Sequence, residues 1–219
     1  TRRSSDLIGY LGLIEDRQFH SQEDLLKYTH TAYVKAKQMK LLVDDLFEYT
    51  KVRQPSVPIH TTTFDMAQLI EQLAADFELE AKKINMQIQV KANPASLMME
   101  GDTEKLVRVF NNLLSNALKY GKGGHHIVME VDKVGTEAII AVRNDGPAIP
   151  KHSLDQLFDR FYRVEESRSQ ETGGTGLGLA IAQSIVALHG GYIYAKSDQK
   201  WTSFIIHLPL QRTNKKSES

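Results

Sequence analysis

Apolar residues recur at two different periods along this chain, and the change of period divides it. Leu7, Leu11 and Ile14 fall on one side of a helix. After the connection "DRQFHSQED", Leu25, Tyr28, Ala32, Met39, Leu42, Leu46 and Tyr49 recur at spacings of three, four or seven, a heptad seam interrupted only at Lys35. Two helices joined by a short link predict an antiparallel hairpin. So thin a unit does not bury its seam alone. A second copy of the chain is the expected cover, and packing on the chain's own downstream domain is the other way to bury it. Pro55 and Pro58 in "KVRQPSVPIHTTT" forbid a continuing regular helix and place a linker near residues 51–60.

Beyond the linker, helical and alternating segments mix. "FDMAQLIEQLAADFELEAKKI" predicts a helix opened by Asp65, and "MQIQVKA" and "SLMMEG" predict strands. Asp102 caps a helix running through Leu106, Phe110, Leu113 and Leu114 to Tyr120. "HHIVMEVDKV" and "EAIIAVRND" predict a strand pair, followed by a long loop-rich stretch over residues 146–175. "LGLAIAQSIVALHGG" is a helix stopped by Gly190 and Gly191, and "YIYAKS" and "TSFIIHLPL" close the pattern as strands. Without regular alternation of helix and strand, the expected class is α+β: a sandwich with its helices on one face of a sheet, preceded by the hairpin. The expected division is a hairpin over residues 1–54, the sandwich over 55–212 and a polar tail over 213–219. The opening "TRRSS" shows no helical pattern.

Charge and composition narrow the function classes. Lys+Arg and Asp+Glu both number 27, and this balance argues against a nucleic-acid binder, which shows a basic excess. There is no cysteine, so disulfides and thiolate metal sites are excluded. No apolar run approaches the ~18 residues that span a membrane, and no signal peptide is visible.

Four stretches carry candidate chemistry. In "NNLLSNALKYGKGG", Asn112, Asn116 and Lys119 fall within ~60° of one another on a helix whose other side holds Phe110, Leu113, Leu114 and Ala117. Asparagine is a poor helix former, so two of them a turn apart point to a task other than propensity. "VRNDGPAIP" puts Asn144, Asp145 and Gly146 at the end of an apolar strand, where an amide or carboxylate can face a purine edge; an ordinary turn is the plainer reading. "LFDRFYRV" concentrates Phe158, Phe161 and Tyr162 inside a polar stretch; core packing of a short helix is the plainer reading there. In "ETGGTGLGLAI", Gly173, Gly174, Gly176 and Gly178 precede a helix start, where backbone N–H groups and the helix dipole suit a polyphosphate; a mobile surface loop would also be glycine-rich. The segment lacks the Gly-Lys-Ser/Thr of a P-loop and the βαβ setting of a Rossmann site. His125 and His126 are adjacent on a strand and point to opposite faces, which argues against a shared metal.

The order and spacing of the four stretches resemble the catalytic half of sensor histidine kinases of two-component systems. The fold expected from that likeness is the Bergerat/GHKL sandwich, shared with gyrase, heat-shock-chaperone and mismatch-repair ATPases. The resemblance runs over residues 6–210, with "FDRFYRV" and "TGGTGLGLAIAQSIVALHGG" similar to the VanS- or CusS-like kind. The hairpin resembles the family's dimerisation and phosphotransfer domain.

The resemblance implies ATP and Mg²⁺ as ligands. Asn112 and Asn116 match the family's N-box asparagines and would hold Mg²⁺ through their side-chain oxygens, Asn116 the more direct ligand. Lys119 would neutralise phosphate charge and Tyr120 would flank the adenine. Asn144 stands where the family usually has an aspartate that accepts a hydrogen bond from the adenine amino group, and Ala148 replaces a common glycine. Gly146 and Ile149 match. Phe161 belongs to the aromatic lid, and Arg163 within it would reach the transferring phosphoryl group. Gly174, Thr175, Gly176, Leu177 and Gly178 would wrap the phosphates. Asn112, Lys119 and Arg163 are thus the implied catalytic set.

In register with "IGYL", the family's acceptor histidine would fall just before Thr1, and none of the eight histidines present has the acceptor context. The expectation is an ATP-dependent histidine kinase core that does not phosphorylate itself at the usual site. Its expected partners are a response-regulator receiver domain and a second copy of the chain, with no nucleic acid. It is expected to be a cytoplasmic domain of a protein anchored in the bacterial membrane outside this segment. A hydrolytic ATPase of the same fold would carry a glutamate base one turn before the metal-binding asparagine, where this chain has Asn112. A dimeric docking module with a degenerate nucleotide site is the alternative from another class.

Overall fold

The computed structural model describes residues 2–52, 59–164 and 174–211. Pro55 and Pro58 of the expected linker, Gly173 and the 213–219 tail lie outside the described residues.

The chain opens with α1 (Arg2–Glu15) and α2 (Gln22–Val52), packed as the expected hairpin with the Tyr10 and Tyr28 rings 5.9 Å apart. Helix α1 starts at Arg2, so residues 2–5 are helical despite their lack of an apolar period. Most of the expected seam faces inward: Ala32 is buried, while Leu25, Tyr28, Met39 and Leu42 are half-buried. Tyr49 joins the core of the downstream domain, and Leu46 stays exposed. A second apolar set, Leu26, Tyr33, Val34, Leu41 and Phe47, is exposed on the opposite face of α2.

The rest is a sandwich of two layers. The sheet order is β2 (Gln87–Asn93), β4 (His126–Val134), β5 (Glu137–Asn144), β7 (Thr202–Pro209), β6 (Tyr192–Ser197). Strands β2 and β4 are parallel, with Gln87 opposite His126, and every other pair is antiparallel. Helices α3 (Met66–Lys83), α4 (Thr103–Tyr120) and α6 (Gly178–Leu188) provide the second layer. Helix α4 turns Leu106, Val109, Phe110, Leu113, Leu114, Ala117 and Leu118 into the core, the 3–4 spacing read from the sequence. Two elements escape the sequence pattern. Strand β1 (Thr62–Asp65) pairs antiparallel with β3 (Met98–Gly101), and the four-residue helix α5 (Lys151–Leu154) interrupts the loop-rich stretch.

Asp65 and Asp102 cap α3 and α4. The Asp65 carboxylate accepts from the N–H groups of Ala67 and Leu97, both at 2.9 Å. Hydrogen bonds from Ser96 and Leu97 hold its carboxyl below the ordinary range. Asp102 is buried and accepts from the Lys105 N–H, the Lys105 ammonium at 2.7 Å and the His60 N–H at 3.1 Å. Burial by itself would raise its pKa, but these donors outweigh burial and lower it. The Asp102 N–H donates to Nε2 of buried His189 at 3.0 Å, whose Nδ1 lies 2.8 Å from the Ile185 carbonyl. His189 follows α6, so this bond ties the start of α4 to the end of α6. The two helices that carry most of the candidate residues are thereby held at a fixed offset.

Candidate functional site

Between α4, α6 and one end of the sheet lies a cavity of about 530 Å³, a size typical of small-molecule sites. Helix α4 supplies Asn112, Ser115, Asn116, Lys119 and Tyr120 to its wall. The same helix sends its apolar positions into the core, so the polar row is forced onto the cavity side. The Asn112 amide donates to the Gly178 carbonyl at 3.1 Å, which orients the side chain and leaves its oxygen as an acceptor. A Cβ added at Gly178 would stand 3.4 Å from that oxygen, so glycine allows α6 to start hard against Asn112.

The glycine-rich segment forms the facing wall through Gly174, Thr175, Gly176 and Gly178. Gly176 has φ +76°, and a Cβ there would meet the Phe161 Cα at 2.8 Å, so both conformation and space require glycine. Its carbonyl accepts from the Phe161 N–H at 2.9 Å. The Arg163 guanidinium reaches the Gly174 carbonyl at 3.5 Å. At the far end, Asn144, Ile149, Leu157, Thr202 and Phe204 make a mostly apolar, buried floor. Asp145 does not share it. Its carboxylate accepts from the His125 and His126 N–H groups, both at 2.7 Å, and lies 2.8 Å from the His126 imidazole. Burial would raise its pKa, but the His126 N–H, the His126 ring and the His125 N–H hold it down.

Eleven of the expected residues therefore share one cavity: Asn112, Asn116, Lys119, Tyr120, Asn144, Ile149, Arg163, Gly174, Thr175, Gly176 and Gly178. Three of the expected nucleotide contacts do not line it. Phe161 is 57% exposed, with φ +61°, and contributes its backbone to the glycine segment instead. Leu177 is buried in the core. Gly146 packs on Gly121, where a Cβ would come within 2.5 Å of the Gly121 Cα. The aromatic stretch divides its labour: Tyr162 lines the cavity, while Phe158 packs edge-on against Phe204 with ring centres 6.4 Å apart.

The sequence reading missed the contribution of the hairpin. Leu41 and Asp45 of α2 line the same cavity. Asp45 pairs with Arg108 of α4 at 2.8 Å and accepts from the Thr175 hydroxyl at 2.7 Å. The Arg160 guanidinium stacks over the Tyr49 ring at 5.2 Å. No local signal marks Asp45, because its partners are 63 and 130 residues away. Among the described residues there is no cluster of three or more His, Asp or Glu placed to hold a metal, His125 and His126 included. A metal here would depend on amide and phosphate oxygens, which suits a hard cation such as Mg²⁺. A broader depression of about 770 Å³ lies on the uncovered sheet face, lined by the Arg143–Glu130 pair and Trp201.

Comparison with known proteins decides the family. Residues 101–212, just over half the chain, match the family described as histidine kinase-, DNA gyrase B-, and HSP90-like ATPase. The chain belongs to that family. The matched region is an ATP-binding catalytic domain of the histidine-kinase kind, and it contains every cavity residue except those of α2. The sensor protein VanS of Enterococcus faecium is 36% identical over 205 residues, covering 94% of this chain and 53% of VanS. The chain spans about half the length of the curated relatives it matches. The solved catalytic domain of the histidine kinase ThkA is 27% identical with a TM-score of 0.63, covering 70% of this chain and 97% of that one. ThkA in complex with the response regulator TrrA shares the fold, at a TM-score of 0.77 and 23% identity, over 98% of this chain and 60% of ThkA.

Proposed function

We propose that this chain binds ATP with Mg²⁺ and transfers the γ-phosphoryl group to a histidine, from which it passes to an aspartate of a response-regulator receiver domain. One observation carries the reading: two amides a turn apart on α4 face a cavity opposite a glycine-rich helix start, with Asn112 locked by the Gly178 carbonyl. Asn116, with Asn112, would hold Mg²⁺, which supplies neutralisation of the β- and γ-phosphate charge. Lys119 and Arg163 add positive charge along the phosphate path, and the Gly174–Gly178 backbone offers N–H groups at the start of α6. Tyr120 and Ile149 flank the base, and Asn144 contacts its edge.

Transfer to an imported nucleophile is favoured over hydrolysis. Activating water needs a base, and Asn112 has no proton-accepting carboxylate to offer. The exposed apolar face of α2 supports a homodimer formed through the hairpin. The ThkA–TrrA complex, a pairing of that protein with a response regulator, supports a receiver domain as partner. No described helix is long and apolar enough to cross a membrane. We place this chain on the cytoplasmic side of a longer, membrane-anchored sensor by analogy with the VanS likeness.

The test is transfer in trans. The chain is mixed with γ-labelled ATP, Mg²⁺ and a second protein carrying the acceptor-histidine segment. Label is expected on that segment and is lost with Asn116→Ala. Nucleotide binding without any transfer to it would leave the docking module as the better reading.

A further inference from the structure

The base end of the cavity is built from groups that both give and take hydrogen bonds. Asn144 is 5% exposed and lines the cavity. An amide in the cavity wall is placed to hydrogen-bond whatever fills the cavity. Its Nδ2 lies beside Gly121, where an added Cβ would stand 3.2 Å away. Opposite it in strand register is Thr202, also buried and cavity-lining. The Thr202 hydroxyl lies 2.7 Å from the Ser197 hydroxyl, and either oxygen can be the donor. Ser197 in turn accepts from the Ile149 N–H at 2.9 Å. Asp145, the carboxylate next in sequence, is committed to His125 and His126.

A carboxylate at this position could only accept. An amide presents an oxygen acceptor on one side and two N–H donors on the other, and it exchanges them by turning about its last side-chain bond. A hydroxyl does the same by rotation. Adenine offers a 6-amino donor and an N1 acceptor. Hypoxanthine and guanine offer a 6-oxo acceptor and an N1–H donor. Resting on the nucleotide reading above, we propose that this pocket accepts 6-oxo as well as 6-amino purine nucleotides, with Asn144 as the residue that permits both. Sites obliged to bond one substituent reject the analogue lacking it by factors on the order of 10⁴, because a buried group is left unpaired. Asn144 and Thr202 leave neither form unpaired.

The test is displacement of a ribose-labelled fluorescent ADP by ADP, IDP and GDP with Mg²⁺. IDP isolates the ring edge, and GDP adds the 2-amino group. IDP is expected to compete within about 10-fold of ADP. Asn144→Asp is expected to widen that ratio to about 100-fold or more, since a carboxylate repels the 6-oxo group; tenfold corresponds to about 1.4 kcal/mol. Displacement by ADP with IDP weaker by more than about 100-fold in the unaltered chain overturns this inference alone, as does a ratio unchanged by Asn144→Asp. No displacement by ADP overturns the nucleotide reading and this inference with it. The ratio in the unaltered chain stands as a test even if the variant does not fold.

Discussion

A single residue links the capping of α4 to the seating of α6, its carboxylate at one and its backbone N–H at the other. Asp102 caps α4, holds the His60 N–H and donates its own N–H to His189 beyond the end of α6. Loss of the cap and of a partner for a part-buried N–H costs about 2 kcal/mol. Asp102→Ala is therefore expected to lower the melting temperature by about 4–8 °C at neutral pH. The acid limb follows from the same residue. The pKa values of Asp65, Asp102 and Asp145 are lower folded than unfolded, so their stabilisation is complete above the unfolded value of about 3.9. It is lost as pH falls through the folded values. Melting followed from pH 6 down to pH 2 should show a steep loss below about pH 4, shallower in Asp102→Ala. A melting temperature insensitive to the substitution would remove Asp102 from this role.

At the scale of elements, α2 bears on the glycine-segment end of the cavity, where the proposed phosphates would lie. Its Asp45 occupies Arg108 and Thr175, one on α4 and the other in the glycine segment. A bound triphosphate would bring negative charge toward the same groups. Asp45→Ala should remove that competition and tighten ATP relative to ADP by about threefold to tenfold, or about 0.7–1.4 kcal/mol. Paired titrations with the two nucleotides measure it; an unchanged or reversed ratio contradicts the competition. Such contacts explain what could and could not be read from the chain. Helices α4 and α6 were legible because their apolar residues keep the helical period, and the asparagine row stood out against it. Strand β1 was not, since "TTFD" is too short to alternate and runs straight into the Asp65 cap. Phe161 reads as a pocket residue from its aromatic neighbours, yet it sits at φ +61° with its side chain exposed. Asp45 was invisible because its contacts bridge the hairpin and the sandwich, a distance no local pattern encodes.

The whole molecule presents two different surfaces. The sandwich encloses the cavity, while α2 leaves Leu26, Tyr33, Val34, Leu41 and Phe47 open on the side away from α1. Leu41 also touches the cavity, but Leu26, Tyr33 and Phe47 do not. Sedimentation should show a dimer that Phe47→Asp dissociates while ADP affinity stays within about twofold. A monomer before substitution would contradict the hairpin as the dimer interface.

The proposed activity depends on the polar row of α4 gripping a magnesium-bound triphosphate. Titrating the chain with a fluorescent ATP analogue, with and without Mg²⁺, tests this most directly. Saturable binding in the micromolar range is expected, about −8 kcal/mol, weakened at least tenfold when Mg²⁺ is withheld or Asn116 is replaced by alanine. Absence of binding, or binding indifferent to both changes, would contradict it.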